Sequence, residues 1–331
     1  MSANALRWDG APGHYEVYYL SATDRERGLG VWIRYTMRAP LHGPADCALW
    51  FMAMDRDGMR FAHKTTHPID ALDVRRHPFH LTLAGADLTN RGMAGDVDGV
   101  AWELSWEPSL SAAEHVHPLL ARSGIAKTVL VLAHPDLAVH GTVRFGGRDL
   151  VLDGVRGGQA HLWGSKHAAR WTWAHANDLR GEDGAPRPGT YLDGVSVFVP
   201  RLGRELGPST PVVGRFGGED FRSTSPVDVA RNRSRFGLTA WTFEARDGSR
   251  KVVGEVEAPR ESLVGVTYHD PDGDLAYCYN SEVATMRLFV WHRVARGRFG
   301  WVLRDTLVAD GTAHFEYAQR APVDGVQLLV T

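Results

Sequence analysis

The chain has 331 residues, of which 44% are hydrophobic and 23% are charged, as in soluble globular proteins of one or two domains. Its net charge of -2 and the lack of a Lys/Arg-rich run argue against a nucleic-acid-binding protein. No apolar stretch reaches the ~18 residues of a membrane span, and no signal-peptide pattern opens the chain. Two cysteines, Cys47 and Cys278, cannot build a disulfide framework. We therefore expect a cytoplasmic protein without stable membrane insertion.

Strand-like runs dominate the first half of the chain. They are rich in Val, Tyr, Trp, Phe and Leu and are bounded by Gly, Asp, Asn and Pro turn residues. The runs cover 14–22, 30–39, 47–54, 79–88, 99–107 and 127–133. A further hairpin is predicted around Gly146 and Gly147, in "HGTVRFGGRDLVLDGV". The best helix signal is 109–124, but Pro118 interrupts it, so any helix there is short.

Further strand-like runs follow a Pro- and Gly-rich stretch at 180–190, "RGEDGAPRPGT". They include "YLDGVSVFVP", "TMRLFVWHRV" and "GWVLRDTLVADGTAHFEYAQ". The high counts of Gly (36) and Trp (11) indicate many tight turns and a wide apolar interior. The sequence therefore predicts an all-β protein of two antiparallel barrel or sandwich domains with at most a few short helices. We expect the domain boundary near 180, within 160–190.

The stretch "HLWGSKHAARWTWAHAND" (161–178) places large rings beside proton carriers. On an extended strand Trp171, Trp173, His175 and Asn177 share one face, and His161 shares a face with Trp163. If the two strands adjoin, these side chains meet in one aromatic pocket suited to an apolar ligand. Lys166 lies in the turn between them as a further donor. The alternative is that the Trp rings are packed core.

Glu16 is the most useful acid in the predicted first strand. It shares a face with His14 and Tyr18, and a carboxyl group turned into an aromatic interior has its pKa raised, so that it could donate a proton near neutral pH. The alternative is a rim Glu16 paired with Arg34 of the next strand. In that strand Trp32 and Arg34 share a face.

Metal, phosphate and nucleophile motifs are weak or missing. The pairs His63/His67, His77/His80 and His115/His117 have no carboxylate at a zinc-protease spacing, and "GRFGGED" lacks the Lys-Ser/Thr of a phosphate loop. No G-x-S-x-G elbow occurs. The Asp-rich "HDPDGD" is interpreted as a hairpin turn rather than a calcium loop. We therefore expect no metal and no organic cofactor.

Three segments carry a resemblance to a known family. "GGQAHLWGSKHAARWTWAHAN" resembles the Trp-Gly to Trp-x-Trp segment of tocopherol cyclases and related bacterial lipocalin-like proteins. "HYEVYYLSATDRERGLGVWIRY" looks like their opening hairpin, and "GVTYHDPDGDLAYCYNSEVATMRLFVW" resembles their closing strands. The wider group is similar to carotenoid 1,2-hydratases and lipocalin-like Diels–Alderases. The matching positions are His161, Trp163, Gly164, Trp171, Trp173 and Asn177.

The resemblance implies two lipocalin-like domains, 1–179 and 180–331, with a hydrophobic pocket inside or between them. It also implies cofactor-independent cyclisation, hydration or isomerisation of a hydrophobic polyene, prenyl or polyketide-like molecule. The predicted catalytic residues are His161, His175 and Glu16. The predicted substrate-binding residues are Trp163, Lys166, Trp171, Trp173, Asn177, Tyr18, Trp32 and Arg34. The alternative is a binding or carrier protein without catalysis, which would need only shape and apolar area.

Overall fold

The protein, represented by a computed structural model, is described for residues 3–108, 111–116, 127–201, 204–294 and 300–331. Strands account for 66% of the chain and helices for 4%, and the strands form two large sheets. The prediction of an all-β, two-domain protein is therefore confirmed. No helix in the described residues has the length and apolarity needed to cross a membrane.

The first sheet contains twelve strands within the described residues and curls into a nearly closed barrel. Its path runs β4-β3-β2-β1-β12-β11-β9-β8-β7-β6-β5, with β10 attached to β11. The strands are β1 (His14–Asp24), β2 (Leu29–Ala39), β3 (Asp46–Asp55), β4 (Arg60–Pro68), β5 (Leu72–Arg76), β6 (Phe79–Leu83), β7 (Ala86–Thr89), β8 (Gly92–Val97), β9 (Val100–Ser105), β10 (Ala113–Glu114), β11 (Thr128–Phe145) and β12 (Arg148–Gly164).

The second sheet contains thirteen strands within the described residues. Its path runs β18-β17-β15-β13-β24-β23-β21-β20-β19, with β14 on β24, β16 on β15, and β22 between β23 and β25. The strands are β13 (Arg170–Ala176), β14 (Arg180–Gly181), β15 (Tyr191–Arg201), β16 (Arg204–Ser209), β17 (Val212–Phe216), β18 (Glu219–Ser223), β19 (Arg233–Phe236), β20 (Ala240–Arg246), β21 (Arg250–Glu257), β22 (Val264–His269), β23 (Leu275–Arg293), β24 (Trp301–Gln319) and β25 (Leu328–Val330).

Helical structure is limited to short pieces in the described residues. The α-helix α1 (Pro226–Arg231) begins at Ser225, whose Oγ accepts a hydrogen bond from the Asp228 N–H. Two 3₁₀ turns cover Ile69–Ala71 and Arg260–Ser262. The helix predicted at 109–124 falls largely on 109–110 and 117–126, which lie outside the described residues; between them, Ala113–Glu114 form the strand β10.

The predicted hairpin at Gly146 and Gly147 is confirmed. These two residues join β11 to β12, and Phe145 pairs with Arg148 across the turn. Their φ angles of +53° and +76° lie in the left-handed region, which glycine adopts without steric cost. The turn joins the two longest strands of the first sheet, β11 of 18 residues and β12 of 17 residues.

The chain passes from the first sheet to the second between Gly164 and Arg170. β12 pairs with β1 and β11, whereas β13 pairs with β15 and β24. The expectation that the strands carrying His161 and His175 adjoin is therefore wrong, because the "SKHAA" segment links two sheets rather than two neighbours in one sheet. By sheet membership, we propose that the domain boundary falls at 165–169.

Side-chain alternation divides the first sheet into two faces. On β2, Val31 and Ile33 point into the barrel core, whereas Trp32 belongs to a separate cluster that faces the second sheet. On the second sheet, Trp171 and Trp173 point back toward the first. We call the buried region between the sheets the inter-sheet layer. It contains Tyr19, Trp32, Arg34, Trp50, Trp171, Trp173, His175, Asp193, His314 and Glu316.

Candidate active site

A buried carboxylate, Asp193 on β15, organises one end of the inter-sheet layer. Its Oδ1 accepts a hydrogen bond from Trp173 Nε1 at 3.0 Å, and its Oδ2 accepts one from His175 Nδ1, also at 3.0 Å. His115 Nε2 lies 2.8 Å from Oδ1. Asp193 is fully buried, and His175 is its cross-strand neighbour on β13.

Burial, together with the charges around Asp193, sets the protonation of His175. Burial opposes ionisation of Asp193, but His115 and His175 outweigh it and hold the pKa of the carboxyl below its ordinary value. Burial also lowers the pKa of His175, more than Asp193 raises it. At neutral pH Asp193 is therefore a carboxylate and His175 a neutral imidazole that donates from Nδ1. Its Nε2 is left as a free acceptor, without a hydrogen-bond partner in the described residues.

A second buried histidine–carboxylate pair lies beside the first. His314 Nδ1 is in close contact with Glu282 Oε2, and the His314 and His175 rings are nearly parallel, with centroids 5.8 Å apart. His314 Nε2 also has no hydrogen-bond partner among the described side chains and backbone. Thr23 Oγ1 of the first sheet donates to the Glu282 carbonyl at 2.6 Å. Both imidazoles are thus oriented through Nδ1, the arrangement used by histidines that exchange protons through Nε2.

Tyr19 and Glu316 line the middle of the layer. Although β1 and β24 are central strands, both side chains keep accessible surface, which indicates space between the sheets beside them. Trp171 Nε1 is hydrogen-bonded to Glu316 Oε1, and the Tyr19 ring meets the Trp173 ring edge-on at 5.8 Å. Burial first, and then Asp193 and Glu316, raise the pKa of Tyr19 well above its ordinary value, so its hydroxyl stays protonated.

Arg34 supplies a buried positive charge to the same face of the first sheet. It is directly opposite Tyr19 on β2 and is 5% exposed. Its guanidinium carbon lies 4.2 Å from the Tyr268 ring centroid, 5.5 Å from that of Trp32 and 5.6 Å from that of Trp50. Aromatic faces stabilise a cation in this geometry. The layer therefore joins indole faces, a fixed cation and acid–base groups.

Glu16 and His161 form a separate site on the opposite face of the first sheet. Glu16 accepts hydrogen bonds from His161 Nε2 at 2.7 Å, the Tyr18 hydroxyl at 2.9 Å and the Arg7 N–H at 2.8 Å. His14 Nε2 lies 3.1 Å away. The predicted face shared by Glu16, His14 and Tyr18 is confirmed by these contacts. The side chains are held together by the N-terminal segment, since His161 Nδ1 also binds the Ala3 carbonyl.

The predicted rise in the pKa of Glu16 is wrong. Burial alone would raise it, but hydrogen bonds from His14, His161 and the Arg7 N–H outweigh burial and lower the pKa to about 2. The alternative pairing with Arg34 is also wrong, because Arg34 points into the inter-sheet layer. Glu16 is thus a fully ionised, hydrogen-bonded carboxylate rather than a proton donor at neutral pH.

The remaining predicted site residues are divided between several places. Trp163 is half-buried beside His161, at 4.8 Å between ring centroids, with Arg7 over its face. Lys166 pairs with Asp272 and Asp274 at the partly exposed turn between β22 and β23. Asn177 Nδ2 binds the Gly157 carbonyl and so joins the sheets. The structure brings Trp32, Arg34, Trp171, Trp173 and His175 together in the layer.

Several residues of the layer were missed from the sequence, namely Tyr19, Asp193, Glu282, His314 and Glu316. A usable signal was present in "GTAHFEYAQ", where His314 and Glu316 alternate with Ala313, Phe315 and Tyr317. Charged groups at alternate positions of an apolar strand are expensive to bury unless they are paired. Asp193 in "YLDGVSVF" carries the same signal.

Two open clefts are present, the first at an edge of the layer between the two sheets and the second on the first sheet. One, of about 170 Å³, is lined by residues including Asp55, Arg56 and Asp310, and the other, of about 370 Å³, runs along residues including Asp87 and Thr142. Neither contains the paired buried histidines, so we place the candidate site in the layer. Within the described parts of the chain, no group of three or more His, Cys, Asp or Glu side chains is arranged to hold a metal ion.

Comparison with known proteins gives relatives in sequence and in fold. The chain is 31% identical over 326 residues to the uncharacterized protein Rv0493c of Mycobacterium tuberculosis H37Rv, covering 96% of this chain and 90% of that protein. The match to the uncharacterized protein MT0513 of strain CDC 1551 has the same identity and coverage. No protein-family model matches the chain.

Two crystal structures share the fold across nearly the full chain. A proposed AttH protein (NE1406) from Nitrosomonas europaea superposes with a TM-score of 0.55 at 13% identity, covering 97% of this chain and 99% of that one. Kievitone hydratase from Nectria haematococca superposes with a TM-score of 0.55 at 9% identity, covering 97% of this chain and 92% of that one. At these identities the similarity establishes the shared two-domain fold.

Proposed function

The chain belongs to the family of the Mycobacterium tuberculosis protein Rv0493c, and from this premise we propose that it is an enzyme that hydrates, isomerises or cyclises an unsaturated apolar small molecule. The reaction uses acid–base groups of the inter-sheet layer and no organic cofactor. The observation that carries this proposal is the pair of buried His–carboxylate contacts beside indole faces and accessible space. Kievitone hydratase, which has the same fold, is a precedent for hydration on this architecture.

Hydration of a carbon–carbon double bond begins with protonation of one carbon, which leaves a carbocation on the other. We assign the proton transfer to Glu316 in its protonated form, because Trp171 holds its Oε1 and the residue is only partly buried. The indole and phenol faces of Trp173, Trp171 and Tyr19 stabilise the positive charge, by roughly 0.5–2 kcal/mol for each well-placed ring. Each 1.4 kcal/mol or so removed from the barrier speeds the reaction about tenfold.

The fate of the carbocation decides the reaction class. A water molecule that attacks the cation gives an alcohol, and its extra proton passes to a base. We assign this role to His175, because Asp193 orients it and burial keeps it neutral. Its Nε2 packs against Gly158, has no hydrogen-bond partner in the described residues and takes the proton when the water reaches that edge of the ring. Attack by another double bond of the substrate closes a ring and moves the positive charge to a new carbon, which then loses a proton to the base. Loss of a proton next to the first cation gives an isomer instead. All three outcomes use the same acid, base and aromatic wall.

Incubation with a panel of prenylated phenols and linear polyenes tests the proposal. In heavy-oxygen water a hydratase product gains one labelled oxygen, whereas in heavy water an isomerase or cyclase product gains deuterium on carbon. Mass spectrometry distinguishes these results from the alternative, a carrier that binds a compound and returns it unchanged. Binding without any labelled product across the panel would contradict the enzymatic proposal and favour the carrier.

Substitution of the proposed acid sharpens the test. Glu316→Gln keeps the shape and the hydrogen bond from Trp171 but removes the transferable proton. We expect turnover to fall by about 10²–10⁴-fold, the usual contribution of a general acid, with little change in ligand affinity. Glu255→Gln on β21, an exposed strand position, is the matched control and should retain full activity. Equal activity of both variants would remove Glu316 from the mechanism.

A further inference from the structure

Arg34 is a buried cation with few partners of its own. Its Nε donates one hydrogen bond, to Thr36 Oγ1 at 3.1 Å, and no carboxylate of the described residues lies within 4.0 Å of its nitrogen atoms. By contrast, the buried Arg250 is hydrogen-bonded to Asp247 and to the Asp220 carbonyl. Arg34 is 5% exposed, so bulk solvent reaches little of its side chain.

An unpaired buried charge is costly, and the cost in folded proteins is usually offset by a counter-ion and hydrogen bonds. At Arg34 the cost of burying the charge is offset by the rings of Tyr268, Trp32 and Trp50. Aromatic faces attract the guanidinium but do not accept its in-plane N–H groups. The guanidinium is therefore held in place with donor capacity left over, as an anion-binding arginine requires.

The space next to Arg34 can receive a ligand group. Tyr19, directly opposite on β1, keeps accessible surface, and within the described part of the chain its hydroxyl makes no hydrogen bond. Burial raises the pKa of Tyr19, so the hydroxyl is a donor. A neutral phenol and a guanidinium on the same face form a donor pair that suits an oxygen atom with negative charge.

We propose that the ligand carries a negatively charged oxygen group, of which a carboxylate is the simplest, bound by Arg34 and the Tyr19 hydroxyl. This inference rests on the proposed function, because it names the polar end of the same apolar substrate. The anionic end fixes the register of the molecule in the layer, and the unsaturated part lies against Trp171 and Trp173. The preferred substrates are then acids rather than neutral hydrocarbons.

A matched pair of fluorescent polyenes tests this inference. Cis-parinaric acid and its methyl ester share one polyene chain and differ in the charged oxygen group. We expect the wild-type protein to bind the acid at least tenfold more tightly than the ester at neutral pH. Arg34→Met should remove this preference, and Arg34→Lys, which keeps the charge, should retain part of it. Far-UV circular dichroism of each variant verifies the fold.

Arg170→Met is the matched control. Arg170 also packs over aromatic rings, Phe198 at 4.3 Å and Phe236 at 5.6 Å, but it points away from the layer and should keep the preference for the acid. Equal affinity of the wild type for acid and ester would overturn the anion site and leave the apolar pocket standing. Binding of neither probe would overturn the pocket as well. The wild-type comparison needs no variant, so it decides the matter even if Arg34→Met fails to fold.

Discussion

His175 and Gly158 meet across the two sheets, and their contact leaves no room for a larger residue at position 158. A Cβ atom built on Gly158 would lie 2.9 Å from Nε2 of His175. The ring cannot easily retreat, because Asp193 holds its other nitrogen. Gly158→Ala should therefore lower stability by about 1–3 kcal/mol, more than the ~0.4–1 kcal/mol gained from a less flexible unfolded chain. Chemical denaturation measures the change.

Two further variants isolate the contact. Gly237→Ala is the control, because no atom lies within 4 Å of a Cβ there, and its effect should be small. His175→Ala removes the opposing ring, so Gly158→Ala should cost much less in that background than in the wild type. Additive effects in the double mutant would show that the two residues do not interact.

Trp173 contributes both an aromatic face and a hydrogen bond to the layer. Trp173→Phe keeps a ring against Tyr19 but loses the bond to Asp193, which should cost about 1–3 kcal/mol of stability. Trp173→Ala should cost about 3–5 kcal/mol and also weaken binding of cis-parinaric acid. Thermal melts and titrations are run on the same samples. A large fall in melting temperature with unchanged ligand affinity of the folded fraction would show that Trp173 is a core residue and does not line the ligand pocket.

Glu16 should make stability depend on pH in the acid range. Its pKa is about 2 in the folded protein against an ordinary value of 4.5, so the unfolded chain binds a proton first as pH falls. The stabilisation is present above pH 4.5 and is lost as pH falls toward 2. At about 1.4 kcal/mol per pKa unit it is on the order of 3 kcal/mol. Urea denaturation at several pH values should show this slope in the wild type but not in Glu16→Gln.

Asp193 should control the protonation of His175. Asp193→Asn keeps the shape of the side chain but removes the negative charge that raises the pKa of His175 against burial. The pKa of His175 should therefore fall further. The new side-chain amide has a single acceptor oxygen, so it cannot accept hydrogen bonds from Trp173 and His175 through two separate oxygens as the carboxylate does. We expect a stability loss of about 1–3 kcal/mol. NMR titration of the His175 ring follows the pKa, and an unchanged value would contradict this role.

The sequence is a good guide to the fold because strands leave a local pattern. The alternation on β2 predicts the shared face of Trp32 and Arg34, and both side chains do point into the layer. The Gly146–Gly147 pair predicts its hairpin for the same reason, since left-handed φ angles and strand ends are properties of a few adjacent residues. The aromatic strand Trp171–Trp173–His175 likewise shares one face, as its alternation indicates.

The site was harder to predict because its residues come from distant strands. His161 and His175 are separated by fourteen positions in the chain yet lie in different sheets, since the intervening segment crosses between domains. His175 and His314, far apart in sequence, are cross-strand neighbours. The pKa of Glu16 depends on the Arg7 N–H, a backbone group that no side-chain pattern records. Residue type gives the chemistry of a group, but long-range pairing decides its partners and its charge.

The division of the layer between the two ends of the chain has a consequence for biosynthesis. Tyr19, Trp32, Arg34 and Trp50 leave the ribosome early, whereas β24, which brings His314 and Glu316, is almost the last strand to be made. During translation the completed first barrel therefore presents an outer face with indole rings and the charged Arg34 until the second sheet covers it. Exposed apolar surface of this kind attracts chaperones and promotes aggregation of nascent chains. Ribosome stalling before β24 should yield a species that needs chaperone protection until the last strands close over that face.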